Sequence, residues 1–271
     1  MGERAPQASI GGRRAVAEAI RAGRARAVMV AREAKRSPGL DQVLEAARAA
    51  GISVEEVPRS RIDALGVENH QEVAAVVRPP PDLDERALSH FEFAADAIVV
   101  LLDGVTDPQN LGAAARAAEA AGAAMLVTRT RRAAPVSPTA IRASAGALLH
   151  LPHARVANLP RAIDRLKERG FLAVGLDETA TRTIHDPAPP RPLLLIAGSE
   201  GAGMSRLVRA ACDEVVSIPM AGRVGSLNAA AALAVALFAF ALRPPEGPPA
   251  PAEKVRSTHA GVAQSGSASD L

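Results

Sequence analysis

Apolar positions change their period several times along the chain, and those changes divide it. Between Arg13 and Arg21, Val16, Ala19 and Ile20 share one helical face, which predicts an amphipathic helix. Ala27–Ala31 (AVMVA) predicts a buried strand, and Ser37-Pro38 then opens a second helix that ends near Gly51. A second strand is expected over Ile52–Val57, a short helix around Arg59–Leu65, and a third strand over Glu72–Val77. Together these make a small α/β module over residues 8–78.

Three consecutive prolines, Pro79-Pro80-Pro81, interrupt that pattern and predict a stiff extended spacer, so residues 79–95 are read as a linker. Strand–helix alternation resumes over 96–243. Its strands are nearly continuous apolar runs at Ile98–Leu102, Ala124–Thr128, Ala173–Leu176, Leu193–Ala197 and Val215–Ile218. Runs of that kind predict a mostly parallel α/β sheet covered on both faces by helices. The longest apolar stretch, Ala229–Leu242, is too short to span a bilayer and predicts a buried helix. Residues 244–271 are rich in Pro, Ser, Gly and Ala and are expected to form a disordered tail outside the functional part.

Composition narrows the function. Hydrophobic residues make up 48% of the chain, enough for a real core, but many are alanine, and aromatics are only 2% with no Trp or Tyr. Packing must therefore rest on Val, Leu, Ile and close Ala–Ala helix contacts. The same scarcity argues against RNA readers that stack bases on exposed rings. Net charge is only +3, yet the basic residues are overwhelmingly arginine, the lysines being Lys35, Lys167 and Lys254 alone. Arginine forks suit phosphate, although a GC-rich genome explains the same bias, so charge permits RNA binding without demanding it. The single cysteine, Cys212, excludes an intrachain disulfide and a cysteine metal cluster. Met1–Ser9 is polar and lacks the apolar segment of a secretory signal, so a cytoplasmic location is expected.

Three loops at strand ends carry candidate chemistry. Asp103-Gly-Val-Thr-Asp-Pro-Gln-Asn110 leads into a helix expected over Ala113–Ala121, with Asn110 near its N-terminus as cap or ligand contact and Arg116 about two turns further on. Gly198-Ser-Glu200-Gly201-Ala-Gly203 follows the strand LLLIA, and its glycines would let a ligand approach the backbone. Its spacing is not GxGxxG and no acid stands about 20 residues on, which disfavours a nicotinamide dinucleotide and hence an oxidoreductase. Glu200 would repel phosphate but suits a cationic, hydroxyl-bearing ligand. The third loop, Ile218 to Asn228, runs into the apolar helix and brings Ser226 and Asn228 to the sheet edge, as helix caps or as groups that orient a substrate hydroxyl.

In order and spacing, the runs NLGAAARAAEAAG, LLLIAGSEGAGMSRLVRAACDEVVSIPM and GRVGSLNAAAALAVALF resemble the three motifs of the SpoU (TrmH) family of SPOUT RNA methyltransferases, covering most of Asn110 to Phe238. The DGVTDPQNLGA loop and the small leading module most resemble the branch that methylates a guanosine of 23S rRNA. The resemblance implies a C-terminal parallel sheet with a deep trefoil knot, preceded by a ribosomal-protein-like RNA-binding domain. It also implies S-adenosyl-L-methionine as cofactor, methylation of a ribose 2′-hydroxyl, RNA as partner, a homodimer, and no metal. By the same resemblance, Asn110 and Arg116 face the target ribose and phosphate, and Glu200, Ser226 and Asn228 complete the active site. Gly198, Ile218 and Leu227 would hold the cofactor's adenosine portion. A tRNA ribose and a non-catalytic RNA-binding role are the alternatives. Two departures stand out: many relatives carry His-Gln-Gly where this chain has His70-Gln71-Glu72, and often Val-Ser-Val where it has Ala229-Ala230-Ala231.

Overall fold

The computed structural model of the chain describes residues 8–67, 69–223 and 225–241. It contains two sheets. The first is built from β1 (Ala8–Gly11), α1 (Arg13–Arg21), β2 (Ala25–Ala31), α2 (Pro38–Ala49), β3 (Val54–Val57), α3 (Arg59–Asp63) and β4 (Val73–Val77), with strand order β1-β4-β2-β3. Strands β2 and β3 run parallel, and β4 is antiparallel to both β1 and β2. Helix α1 buries Ala15, Val16, Ala17, Ala19 and Ile20, the face its periodicity predicted. Ser37 caps α2 by accepting from the Leu40 amide, and Pro38 sits at the first turn, where its missing N–H has no partner to lose. Strand β1 escaped the sequence reading because only Ile10 in its four residues is strongly apolar.

The His70-Gln71-Glu72 turn has a backbone that would suit glycine. Glu72 has φ 66° and Gln71 φ 53°, left-handed values that a side chain disfavours. Local contacts hold the turn: the Glu72 amide donates to His70 Nδ1 at 2.9 Å, and the Glu72 carboxylate pairs with Arg13 at 3.4 Å.

The second sheet follows α4 (Glu85–His90). It comprises β5 (Ile98–Leu102), α5 (Pro108–Ala120), β6 (Met125–Arg129), α6 (Pro138–Ala143), a 3₁₀ turn at Ala147–Leu149, β7 (His153–Val156), α7 (Leu159–Lys167), β8 (Leu172–Leu176), β9 (Leu193–Ala197), α8 (Arg206–Ala211), β10 (Glu214–Val216) and α9 (Ala229–Ala241). Six strands in the order β10-β8-β9-β5-β6-β7 all pair in parallel. Both faces of β5 are buried, as its unbroken apolar run predicted. Ile98, Val100 and Leu102 enter one core with α5 and α9, while Val99 and Leu101 enter another with α4 and α7.

Strand β7 was missed because His153 and Arg155 interrupt its apolar pattern. Its polar atoms are satisfied instead: His153 lies between Thr128 Oγ1 (2.8 Å) and Asp82 Oδ1 (2.9 Å). Asp82 and Leu83 belong to the stretch read as a plain spacer, which is more built than that. The Leu83 amide donates to the His153 carbonyl, its own carbonyl accepts from Arg155, and Asp84 caps α4. The tail expected over 244–271 lies outside the described residues.

Candidate active site

Helix α5 begins earlier than the sequence suggested, and this decides what Asn110 does. Asp107, not Asn110, is the cap, accepting from the Gln109 amide at 3.0 Å, with Pro108 at the first helical position. Asn110 therefore sits within the first turn with its amide free for other contacts, which corrects the capping alternative. Gly112, two residues on, lets α6 approach closely: a Cβ there would lie 2.5 Å from both the Ala140 carbonyl oxygen and the Ala143 methyl. The close small-residue packing expected from composition seats α6 directly on this helix.

The glycine loop after β9 is a tight hairpin in which Ser199 and Gly203 exchange backbone hydrogen bonds at 3.1 and 2.9 Å. Gly201 and Gly203 take φ values of 80° and 64°. Gly198 has a different reason from the one the sequence suggested. A Cβ on it would stand 2.0 Å from the Gly203 carbonyl carbon and 2.2 Å from the Met204 nitrogen, so the hairpin's own backbone, not a ligand, excludes a side chain. Asp103, which sequence reasoning passed over, ties this hairpin to the end of β5. Its buried carboxylate accepts from the Ser205 amide at 2.8 Å and faces Arg129 at 3.7 Å.

The three loops meet at Asn228. Its side-chain oxygen caps α9, accepting from the amides of Ala230 (2.9 Å) and Ala231 (3.4 Å). Its side-chain nitrogen donates to Asn110 Oδ1 and Glu200 Oε2, both at 2.9 Å. Two acceptors on one side and two N–H donors on the other leave the amide a single orientation. Asparagine was expected either as a cap or as a site residue; here one side chain is both.

Glu200 also lines a cavity of about 250 Å³ together with Gly198, Ile218, Ser226 and Leu227. Five of the eight residues singled out from sequence thus share one cavity, and Glu200 joins them to Asn110 and Asn228. Arg116 stands apart. It is exposed and makes no hydrogen bond or ion pair with the described residues. Six positions beyond Asn110, it lies about 9 Å along α5 and about 240° around it.

Two further wall residues, Asp177 and Glu178, follow β8 and were missed because nothing in the local sequence marks them. The hydrogen bond from Thr179 holds the Asp177 carboxyl below the usual carboxylate range; burial opposes this and the Arg209 guanidinium reinforces it. Three carboxylates around one pocket favour a cation and disfavour a phosphate. The apolar wall of Ile218, Leu227 and Val216, with exposed backbone groups of the hairpin beside it, suits the flat apolar body of a nucleoside.

Comparison with known proteins identifies the family. The SpoU rRNA Methylase family model matches residues 97–238, and the RNA 2′-O ribose methyltransferase substrate binding model matches residues 9–83. A TrmH-family protein of Staphylococcus haemolyticus (strain JCSC1435), named as a tRNA/rRNA methyltransferase, is 38% identical over 229 residues, covering 84% of this chain and 92% of that protein. Among solved structures, the SpoU methyltransferase AviRb from Streptomyces viridochromogenes, in complex with AdoMet, superposes with a TM-score of 0.70 at 30% identity, over 87% of this chain and 89% of that one. An RNA 2′-O ribose methyltransferase structure gives a TM-score of 0.72 at 27% identity, over 87% and 88% of the two chains.

Proposed function

The chain belongs to the SpoU rRNA methylase family, and from that premise we propose that it methylates a ribose 2′-hydroxyl in RNA, using S-adenosylmethionine, at a guanosine of 23S rRNA. One observation carries the reading: Asn228 draws Asn110 and Glu200 into a single hydrogen-bonded group beside a carboxylate-rimmed, partly apolar cavity.

When bound, the cofactor supplies an electrophilic methyl group on a sulfonium, already joined to a good leaving group. The protein's task is then alignment and handling of one proton. Gly198, Ile218 and Leu227 would seat the adenosine portion, and Glu200 and Asp177 favour its positive charge. Asn110, Asn228 and Ser226 orient the ribose hydroxyl. Holding the reacting groups in near-attack geometry supplies roughly 7–11 kcal/mol of the barrier. Arg116 contacts the RNA phosphate and the hydroxyl and stabilises the alkoxide as it forms; a charged guanidinium has no lone pair to accept the hydroxyl proton, which leaves to water.

The same proposal includes a homodimer. Helix α9 is apolar almost all round, and Val235 (41% exposed) and Phe238 (40%) lie uncovered on it, a surface that a second copy would bury. A monomer by light scattering at micromolar concentration would count against this. The knot expected of the family is part of the reading too, with α9 as the threaded segment. Among the described residues no helix is long and apolar enough to cross a membrane, and a cytoplasmic site of action, where rRNA is met, is part of the same proposal.

The test is mass-spectrometric mapping of ribose methylation in rRNA and tRNA from cells lacking the protein, paired with calorimetry of S-adenosylmethionine binding. One 2′-O-methylguanosine missing from 23S rRNA is the expected result. A loss confined to tRNA would move the acceptor, and no cofactor binding would leave a non-catalytic RNA-binding protein of the same fold.

A further inference from the structure

A second cavity is larger than the one beside Asn228. It lies between the two sheets, has a volume of about 920 Å³, and is walled by the linker prolines on one side and by the loop before α6 on the other. That volume sits at the upper end of the roughly 300–1,000 Å³ typical of ligand pockets. It is far larger than a single inorganic anion needs.

Its charge is one-sided. Arg24 and Arg78 from the first sheet face Arg142 and Arg155 from the second, against a single carboxylate, Asp82. Asp82 is already engaged by His153 at 2.9 Å and Arg155 at 3.4 Å. Arg24 and Arg78 stand side by side, joined by the Arg78 amide donating to the Arg24 carbonyl. Neither pairs with a carboxylate among the described residues, and the Nε of each is buried without a partner there. Two adjacent guanidinium groups such as Arg24 and Arg78, with no carboxylate paired to either, repel one another and favour an anion between them.

The basic character continues toward the catalytic group. Past β6, Arg131 and Arg132 are exposed and form no ion pair among the described residues. Their loop is fastened to the Asn110 motif, because the Ala134 amide donates to the Val105 carbonyl at 2.9 Å. On one side of β5 the sheet continues with β6 and then β7, which carries Arg155. At about 4.8 Å per strand, the cleft therefore opens roughly 10 Å along the same rim from the catalytic loops.

We propose that the phosphodiester backbone of the substrate RNA crosses this interdomain cleft, held by Arg24 and Arg78, and is led past Arg131 and Arg132 to the ribose that is methylated. The occupant is RNA because the cleft is lined by arginines, which suit phosphate, and by no aromatic ring on which a base could stack. Phe91, Phe93 and Phe171 pack on one another, and there is no Trp or Tyr. This inference rests on the activity proposed above, and its test separates the two.

The probe is 23S rRNA transcribed in vitro, bound to the full chain and to an Arg24→Gln/Arg78→Gln variant over a range of salt. Losing two phosphate contacts should lower the slope of log K against log salt by about 1.4–1.8 and weaken binding roughly 20-fold at 0.15 M salt. KM for the RNA should rise while kcat and S-adenosylmethionine affinity stay as in wild type. The Arg24→Lys/Arg78→Lys pair should recover most of the slope, since phosphate accepts a point charge. A folded glutamine variant with wild-type slope and affinity would overturn the proposal. Should that variant not fold, Arg131→Gln/Arg132→Gln, changed only on the surface, must show the same direction of loss or the proposal fails. A wild-type chain that binds the RNA with this slope but takes no S-adenosylmethionine would sink the activity and leave the cleft standing.

Discussion

Because one side chain at Asn228 both caps α9 and joins Asn110 to Glu200, three substitutions separate the two jobs. Asn228→Ala removes both. Losing a cap of this kind costs about 1 kcal/mol. The two bonds made by the side-chain nitrogen are exposed, so each adds only the low end of about 0.5–1.5 kcal/mol. A total near 1–2 kcal/mol should lower the melting midpoint by roughly 2–8 °C for a chain of this size. Asn228→Ser restores an oxygen that can accept from the Ala230 amide but offers no second N–H to bridge Asn110 and Glu200, so stability should return most of the way. Asn228→Asp keeps the cap and gains about 0.3–1 kcal/mol from the helix N-terminus. It also sets a carboxylate against Glu200, whose repulsion at about 4 Å in a water-like medium is near 1 kcal/mol. Aspartate also loses both N–H donors, so stability should rank Asn first, then Ser, with Asp and Ala lowest. Methyl transfer should be low in all three, by about a hundredfold if the reacting groups shift by about 1 Å. Urea denaturation and single-turnover transfer from tritiated cofactor at saturating RNA measure the two effects separately. A serine variant within twofold of the wild-type rate, or an alanine variant with an unchanged midpoint, would refute the dual role.

Four other outcomes follow from the same geometry. Gly198→Ala forces a methyl into the Gly203–Met204 backbone, so S-adenosylmethionine affinity by calorimetry should fall at least about tenfold; retained affinity would mean the hairpin yields. Arg116→Lys keeps the charge but loses the planar fork, and turnover at neutral pH should drop about tenfold or more, whereas a near-normal rate rules out a specific guanidinium role. Burial opposes ionisation of Asp82, but the hydrogen bond and charge of His153, with Arg155, hold its carboxyl below the ordinary 3.8. A lowered folded value means the stabilisation is complete above about 3.8 and fades as pH falls through that folded value. Asp82→Asn should therefore be less stable at pH 7 by no more than about 1 kcal/mol, the side chain being 36% exposed, and the gap should close in acid; a gap independent of pH contradicts this. Burial, with the neighbouring Asp213 carboxylate, pushes the Cys212 thiol up to about 11 from 9.0. Its thiolate is then about a hundredfold scarcer at neutral pH, so iodoacetamide at pH 7.5 should label it only after unfolding.

Much of this molecule can be read from the order of its residues, where the physics is local. The helix α1 face, the Ser37 cap, and β5 and β9 with their uninterrupted apolar runs all follow from period and punctuation. What failed to show was set by distant partners. β7 carries His153 and Arg155 inside a buried sheet, a pattern that makes sense only once Asp82 and Thr128 are known to stand beside it. Gly198 looked like room for a ligand because sequence cannot show that Met204 folds back onto it. Asn110 looked like a cap because Asp107 competes for that position with equal chemical right. The gathering of Asn110, Glu200 and Asn228 spans more than 100 residues of chain and has no periodic signature; only the family resemblance anticipated it.

The relation between the two sheets has a mechanical consequence that three prolines in a row conceal. A stiff tether by itself would leave the first module free to pivot. Instead α6 packs against β1 on one side and α5 on the other, and a single apolar core runs from Ile10, Val16 and Ile20 through Ile141 and Leu148 to Leu111 and Ala114. At Gly146, with φ 95°, a Cβ would stand 2.5 Å from the Glu18 Cβ, and His150 faces the Glu18 carboxylate at 3.3 Å. Moving the first module therefore means moving α6, and Gly112 seats α6 directly on the helix that carries Asn110. Close-packed contacts of this kind transmit displacement with little give. The separation between the arginines of the cleft and the catalytic amides is thus a fixed length of the protein, so the RNA must present its phosphates and its target ribose at that spacing.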